Sequence, residues 1–279
     1  MTGQSCQTAA IQAGPRLSPA RALDAFIVSN LGFLGVDIAL AHAANRFARR
    51  EEWWPIAFSV SAALLLVPSV LWPRRAAAWR LVEFAIGTLA VGVGVLGMIL
   101  HLQSAFFEQQ TLANLVYSAP FAAPLAYVGL GLLLIMVRME AAGSEAWEGW
   151  LLVFTLGGFA GNLALTLTDH AQNGFFSRSE WAGVVGAAFA CSFLLLLLLR
   201  PDDAPLARAV RYVLALQALL GLLGFGLHLY ANVARPGSWS DRALYGAPLF
   251  APLLFVDLAL LGAIALWARA QRSARPLNG

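Results

Sequence analysis

Lysine is absent from this 279-residue chain, cysteine occurs twice, histidine four times, and charged side chains make up only 12%. A soluble domain carries roughly 25% charged residues, so an ordinary water-exposed surface is excluded. Cys6 sits in a polar amino-terminal stretch and Cys191 in an apolar run, at different depths, which excludes a disulfide framework. There is no Gly-rich phosphate loop, nucleophile elbow, His-Glu-x-x-His string or Cys-x-x-Cys-His haem-attachment string. Those absences argue against ATP-driven and hydrolytic chemistry. The net charge of +3 is carried by arginines alone, most of them at the ends of apolar segments. That placement speaks of orientation in a membrane and gives no support to nucleic-acid binding.

What the chain does have is apolar length, with 59% hydrophobic residues. A hydrocarbon core of about 30 Å asks for roughly 20 apolar residues per helix. Eight segments meet that demand: 25–45, 54–72, 81–102, 112–137, 150–169, 181–199, 210–230 and 246–267. The expected fold is all-α, a polytopic membrane protein of eight transmembrane helices in the lipid bilayer. Residues 1–24 are polar and small, with Arg16 and Arg21 ahead of the first apolar run, and are expected to remain as a cytoplasmic tail rather than a cleaved signal. Basic residues are retained on the cytoplasmic side. With the amino terminus inside, twelve of the eighteen arginines fall on that side. Both termini are therefore expected in the cytoplasm, including a tail at 269–279, in a bacterial-type inner membrane.

Self-similarity at a fixed offset shows one unit used twice. Gly97, Leu100, His101 and Leu102 match Gly224, Leu227, His228 and Leu229 at an offset of 127. After a polar loop, Tyr-x-Ala-Pro-x-x-Ala-Pro-Leu runs from Tyr117 to Leu125 and again from Tyr245 to Leu253. His42, Ala43, Asn45, Phe47, Glu52 and Trp53 align with His170, Ala171, Asn173, Phe175, Glu180 and Trp181. Two tandem four-helix units, 25–138 and 149–268, follow from this. An even number of spans in each makes the repeats parallel, related by a pseudo-twofold axis along the membrane normal.

All four histidines fall at matched positions, in the last turns of odd-numbered spans, and thus near the outer face. A lone histidine at a helix end ordinarily caps the last carbonyls and favours the negative end of the dipole. Four at repeated places with none elsewhere point to ligation or proton handling, because polar residues at membrane depth are costly. His42 with His101, and His170 with His228, come from parallel helices and reach a common depth. Two opposed imidazoles in an apolar bundle suit haem b; four brought together would suit a copper, zinc or iron ion.

Asn45 and Asn173 stand three residues after the first histidine of each unit, placed to orient a ligand or to cap the helix. Tyr117 and Tyr245 lie at the same outer face, where a phenol contacts a cofactor edge or quinol, or joins the aromatic belt with Trp53 and Trp181. Asp37, Glu83 and Asp257 lie inside apolar stretches and should turn inward, as a proton path or as interhelical hydrogen bonds. Asp37 aligns with Asn162 if three extra residues are allowed in the fifth span, which predicts a polar pair between units. Glu83 is expected to reach arginines such as Arg80. Gly92, Gly94 and Gly97, with Gly221, Gly224 and Gly226, offer small faces for close helix contact.

Two fused four-helix units with an outer histidine pair in each resemble the architecture of the haem A synthase family. The resemblance covers plan and not motif. Four residues before His42, His101, His170 and His228 stand Ile38, Gly97, Thr166 and Gly224, where that family has glutamate, and no residue role is transferred. The expectation is a haem- or metal-binding electron-transfer protein with a quinol or redox partner at the outer face. A proton-coupled transporter or channel, with Asp37, Asp257 and the histidines handling protons, and a non-catalytic assembly subunit are the competing classes.

Overall fold

The computed structural model describes residues 17–71 and 77–274, which form helices with no strand among them. Helix α1 (Pro19–Ala43) starts where the Ser18 hydroxyl accepts from the Arg21 amide and Pro19 supplies the first-turn φ. After a 3-10 turn at Arg50–Glu52 come α2 (Trp53–Leu71) and α3 (Ala77–Leu102). The first half ends with the short α4 (Leu112–Tyr117) and α5 (Leu125–Met139). The second half holds α6 (Glu145–Gln172), α7 (Glu180–Leu199), α8 (Ala204–Ala234), the short α9 (Trp239–Tyr245) and α10 (Leu253–Ser273).

Seven of these helices, α1, α2, α3, α6, α7, α8 and α10, are long and apolar enough to cross a membrane. The span expected at 112–137 is instead broken: α4 ends at Tyr117, and α5 is a 15-residue apolar helix, about 22 Å at 1.5 Å per residue. Proline is the cause. Pro124 stands as the N-cap of α5, so it opens the helix and does not kink it. Pro252 does the same for α10, which moves the start of the last span from 246 to Leu253.

Other boundaries move outward, because caps and not hydropathy end helices. Ser144 and Asp203 cap α6 and α8 several residues before the apolar runs begin. Residues 19–24 are thus helix rather than tail, and α10 continues through Ser273. Residues 1–16, Cys6 among them, and 275–279 lie outside the described residues, as does Trp72 at the end of the second expected span.

Between 22% and 44% of each long helix's most apolar window is buried inside the protein. The remainder faces outward and is apolar, with Leu64, Leu89, Leu219 and Leu223 all more than half exposed. Such a surface is stable against lipid rather than water. Inside, Trp147, Phe159 and Tyr127 are the largest fully buried side chains. Helix α3 packs on α5, α8 on α10, and α6 on both α7 and α10; the halves meet along α5 with α6 and α1 with α10.

One end of the bundle is tied by ion pairs. Arg138 on α5 reaches Glu83 on α3 (2.7 Å) and Asp24 on α1 (3.0 Å). Glu83 is fully buried, and the partner found for it is Arg138 rather than Arg80. Arg272 on α10 holds both carboxylate oxygens of Glu148 on α6 at 3.0–3.1 Å. The opposite end carries the histidines.

Candidate functional site

The last turn of α1 places His42, and the chain then turns sharply. The Phe47 amide donates back to the His42 carbonyl (3.1 Å), with Arg46 and Phe47 at φ 60° and 51°. In the second half the Phe175 amide donates to the His170 carbonyl (3.0 Å), with Gly174 and Phe175 at φ 71° and 52°. A bulky residue at positive φ is strained by roughly 1–2 kcal/mol, and such strain persists only where surroundings over-determine it. Stacking supplies the restraint. Phe47 lies on Trp53 at 4.1 Å and Phe175 on Trp181 at 4.2 Å, both nearly parallel. The two tryptophans therefore hold these turns as well as lying partly exposed at the surface.

This turn brings the residue before each tryptophan back onto the histidine. Glu52 Oε2 lies 3.4 Å from His42 Nδ1, and Glu180 Oε2 lies 3.2 Å from His170 Nδ1. Both oxygens are buried and make no hydrogen bond among the described residues. A buried carboxylate oxygen so placed is compensated by positive charge or an N–H on the imidazole. Glu52 also accepts from Asn45 Nδ2 (3.4 Å). Asn173 is used differently, its Oδ1 accepting from the Phe175 amide (3.1 Å), while Glu180 Oε1 accepts from the Ser177 amide (3.3 Å).

The second histidine of each pair is held by a proline carbonyl. His101 Nδ1 donates to the Pro120 carbonyl at 2.8 Å, and His228 Nδ1 to the Pro248 carbonyl at 2.7 Å. A carbonyl only accepts, so Nδ1 carries the proton and Nε2 keeps its lone pair. Glycine makes this reach possible. A Cβ on Gly97 would stand 2.9 Å from Pro124 Cβ, and one on Gly224 2.9 Å from Pro252 Cβ. A Cβ on Gly94 or Gly221 would likewise strike the carbonyl oxygen of the same prolines at 2.7 or 2.8 Å. These glycines let the segment after each short helix lie against the histidine helix.

The loops are fixed further by Ser104 Oγ, which accepts from the Ala119 amide (2.8 Å), and by Asn232, which exchanges two bonds with Ala247. The two stand at equivalent positions, 128 residues apart like Ala119 and Ala247, but sequence comparison does not flag them because one is serine and the other asparagine. Sequence reading also gave no role to Glu52 and Glu180, although the repeat alignment contains them.

The rings of His42 and His101 stand 6.2 Å apart, centroid to centroid, at 65°. His228 lies within electrostatic range of His170. All four are at one end of the bundle, where Gln172, two residues after His170, donates to the Val116 carbonyl of the first half (2.7 Å). Tyr117 and Tyr245 are exposed on α4 and α9. Asp257 accepts from Asn30 Nδ2 at 2.8 Å, joining α10 to α1. The Asn162 amide nitrogen is buried without an acceptor among the described residues, so it donates nothing to Asp37, which is half-buried on α1.

A metal at about 2.0 Å from Nε2 of two opposed imidazoles sets their centroids about 6 Å apart, which the His42–His101 spacing matches. Nδ1 tied to a carboxylate or carbonyl is also the usual second contact of a ligating histidine. Among the described residues no group of three or more His, Cys, Asp or Glu is placed to hold a metal ion. Each half therefore presents a pair of imidazoles, and no closed cage of four stands among the described residues.

Fold and site together define a lipid-embedded all-helical protein of several apolar helices with imidazole pairs at one end. No family model, curated protein or solved structure matches the chain.

Proposed function

We propose that this chain is a membrane haem-binding redox protein, with His42 and His101 as one ligand pair and His170 and His228 as the other. The observation that supports the reading is that Nδ1 of His101 and of His228 is bonded to a proline carbonyl, and Nδ1 of His42 and of His170 stands within 3.4 Å of a buried carboxylate oxygen, an arrangement that keeps Nε2 for a ligand bond. Haem is favoured over a bare copper, zinc or iron ion because haem iron takes two protein ligands, whereas a structural ion asks for about four. Haem b held there would supply one-electron transfer with a partner at the membrane surface.

The reading includes the eighth crossing, made by α4 and α5 together, and two parallel units in tandem. The twinned contacts around His42 and His170, and around His101 and His228, support it. With the arginines retained on the cytoplasmic side, both termini are cytoplasmic in a bacterial-type inner membrane and the histidines face outward. Exposed Phe107, Phe176 and Trp239 lie in the segments at that end, a surface suited to a quinol or redox partner.

The test is the absorption spectrum of the purified protein with pyridine haemochrome and metal analysis. A Soret band at two haems per chain, halved by His101→Ala or by His228→Ala, is expected. A colourless protein with stoichiometric metal moves the reading to a bare ion. A colourless, metal-free protein whose proteoliposome proton flux collapses on Asp257→Asn moves it to transport.

A further inference from the structure

We infer that the groove between α8 and α10 is a binding site for an anionic glycerophospholipid, with its acyl chain in the groove and its phosphate at Arg211. The groove encloses about 580 Å³ and is apolar along its length, floored by Ala215, Ala218, Ala259 and Ala263 and edged by Trp267. Arg211 is its one charged lining residue. Its side chain is exposed and makes no ion pair or hydrogen bond among the described residues. Arg208, also exposed, lies one turn earlier on the same helix face.

The corresponding seam in the first half is shut, and the residues that shut it are the ones replaced. There α3 and α5 meet through Gly87 and Gly131, so closely that a Cβ on Gly87 would stand 2.8 Å from the Gly131 carbonyl oxygen and 2.8 Å from Ile135 Cγ1. By the repeat offsets, Gly87, Gly131 and Ile135 become Leu214, Ala259 and Ala263. Where the two glycines let the backbones touch in the first half, the Leu214 side chain lies between the helices against Gly262, and Ala263 withdraws the side chain that fills the seam. An open trough flanked by lipid is filled by a chain of lipid. An unpaired guanidinium at the end of that trough selects a phosphate among headgroups.

The occupant is identified by native mass spectrometry of the full-length protein in detergent, titrated with phosphatidylglycerol and phosphatidylcholine of identical acyl chains. Wild type is expected to retain one phosphatidylglycerol at least fivefold over phosphatidylcholine. Arg211→Gln, a surface change, should lower that preference about fivefold, the contribution of one cation near a lipid phosphate. Ala263→Ile, which restores the first half's residue and leaves Arg211 in place, should abolish retention of both lipids with the melting temperature unchanged. Equal retention of the two lipids by wild type overturns the assignment, as does undiminished retention by Ala263→Ile. Extraction of a stoichiometric isoprenoid quinone in place of phospholipid overturns it too.

Discussion

Glu52 sets its carboxylate 3.4 Å from Nδ1 of His42, across a turn whose Phe47 is locked at positive φ by stacking on Trp53. Glu180 stands 3.2 Å from His170 behind the same turn. The 3-10 turn ahead of α2, and the first residue of α7, therefore deliver the partner of a histidine in the last turn of the preceding long helix. If the imidazole is a ligand, this carboxylate orients the ring and raises its basicity. Glu52→Gln keeps the shape and removes the charge. It should weaken cofactor binding at that pair about 10- to 100-fold, with the second pair unaffected, as read by titration of the apoprotein.

Gly97 lies where a Cβ would press on Pro124 at 2.9 Å. Gly97→Ala should push the start of α5 away from α3 and lengthen the bond between His101 and Pro120. A loss of about 1–3 kcal/mol is expected for such overpacking, measured by thermal melting in detergent, with Gly224→Ala behaving alike in the second half.

Gly174 has φ +71° and open space around the position of a Cβ. Gly174→Ala isolates the backbone cost, about 1 kcal/mol, because nothing is there to clash. The melting temperature should fall accordingly. An unchanged midpoint would mean that this turn relaxes out of the left-handed region.

Arg272 grips Glu148, whose carboxylate is nearly buried, through two nitrogens. Arg272→Leu leaves a buried negative charge without that partner. The expected loss is about 2 kcal/mol, below the 3–5 of a fully buried pair because the guanidinium is partly exposed. The double variant with Glu148→Leu should regain most of it. A double variant no more stable than the single one would refute the desolvation argument.

Sequence alone was enough for the membrane character, for all seven long helices and for the matched histidines. Apolar run length is a local property, and a repeated motif is visible without coordinates. The segment 112–137 is not one continuous helix, for a reason visible in the sequence: Pro120 and Pro124 fall inside an apolar run, and hydropathy does not register a missing N–H. What only the tertiary structure decided is which side chains meet. Asn30, not Asn162, bonds an intrahelical aspartate of the other half, Asp257, and Glu83 finds Arg138 rather than Arg80. Helices that are apolar on every side carry no stripe to say how they rotate. Rotation is settled by close contacts such as Gly94 against Pro124 and Gly221 against Pro252, and it is rotation that turns each imidazole toward its acceptor.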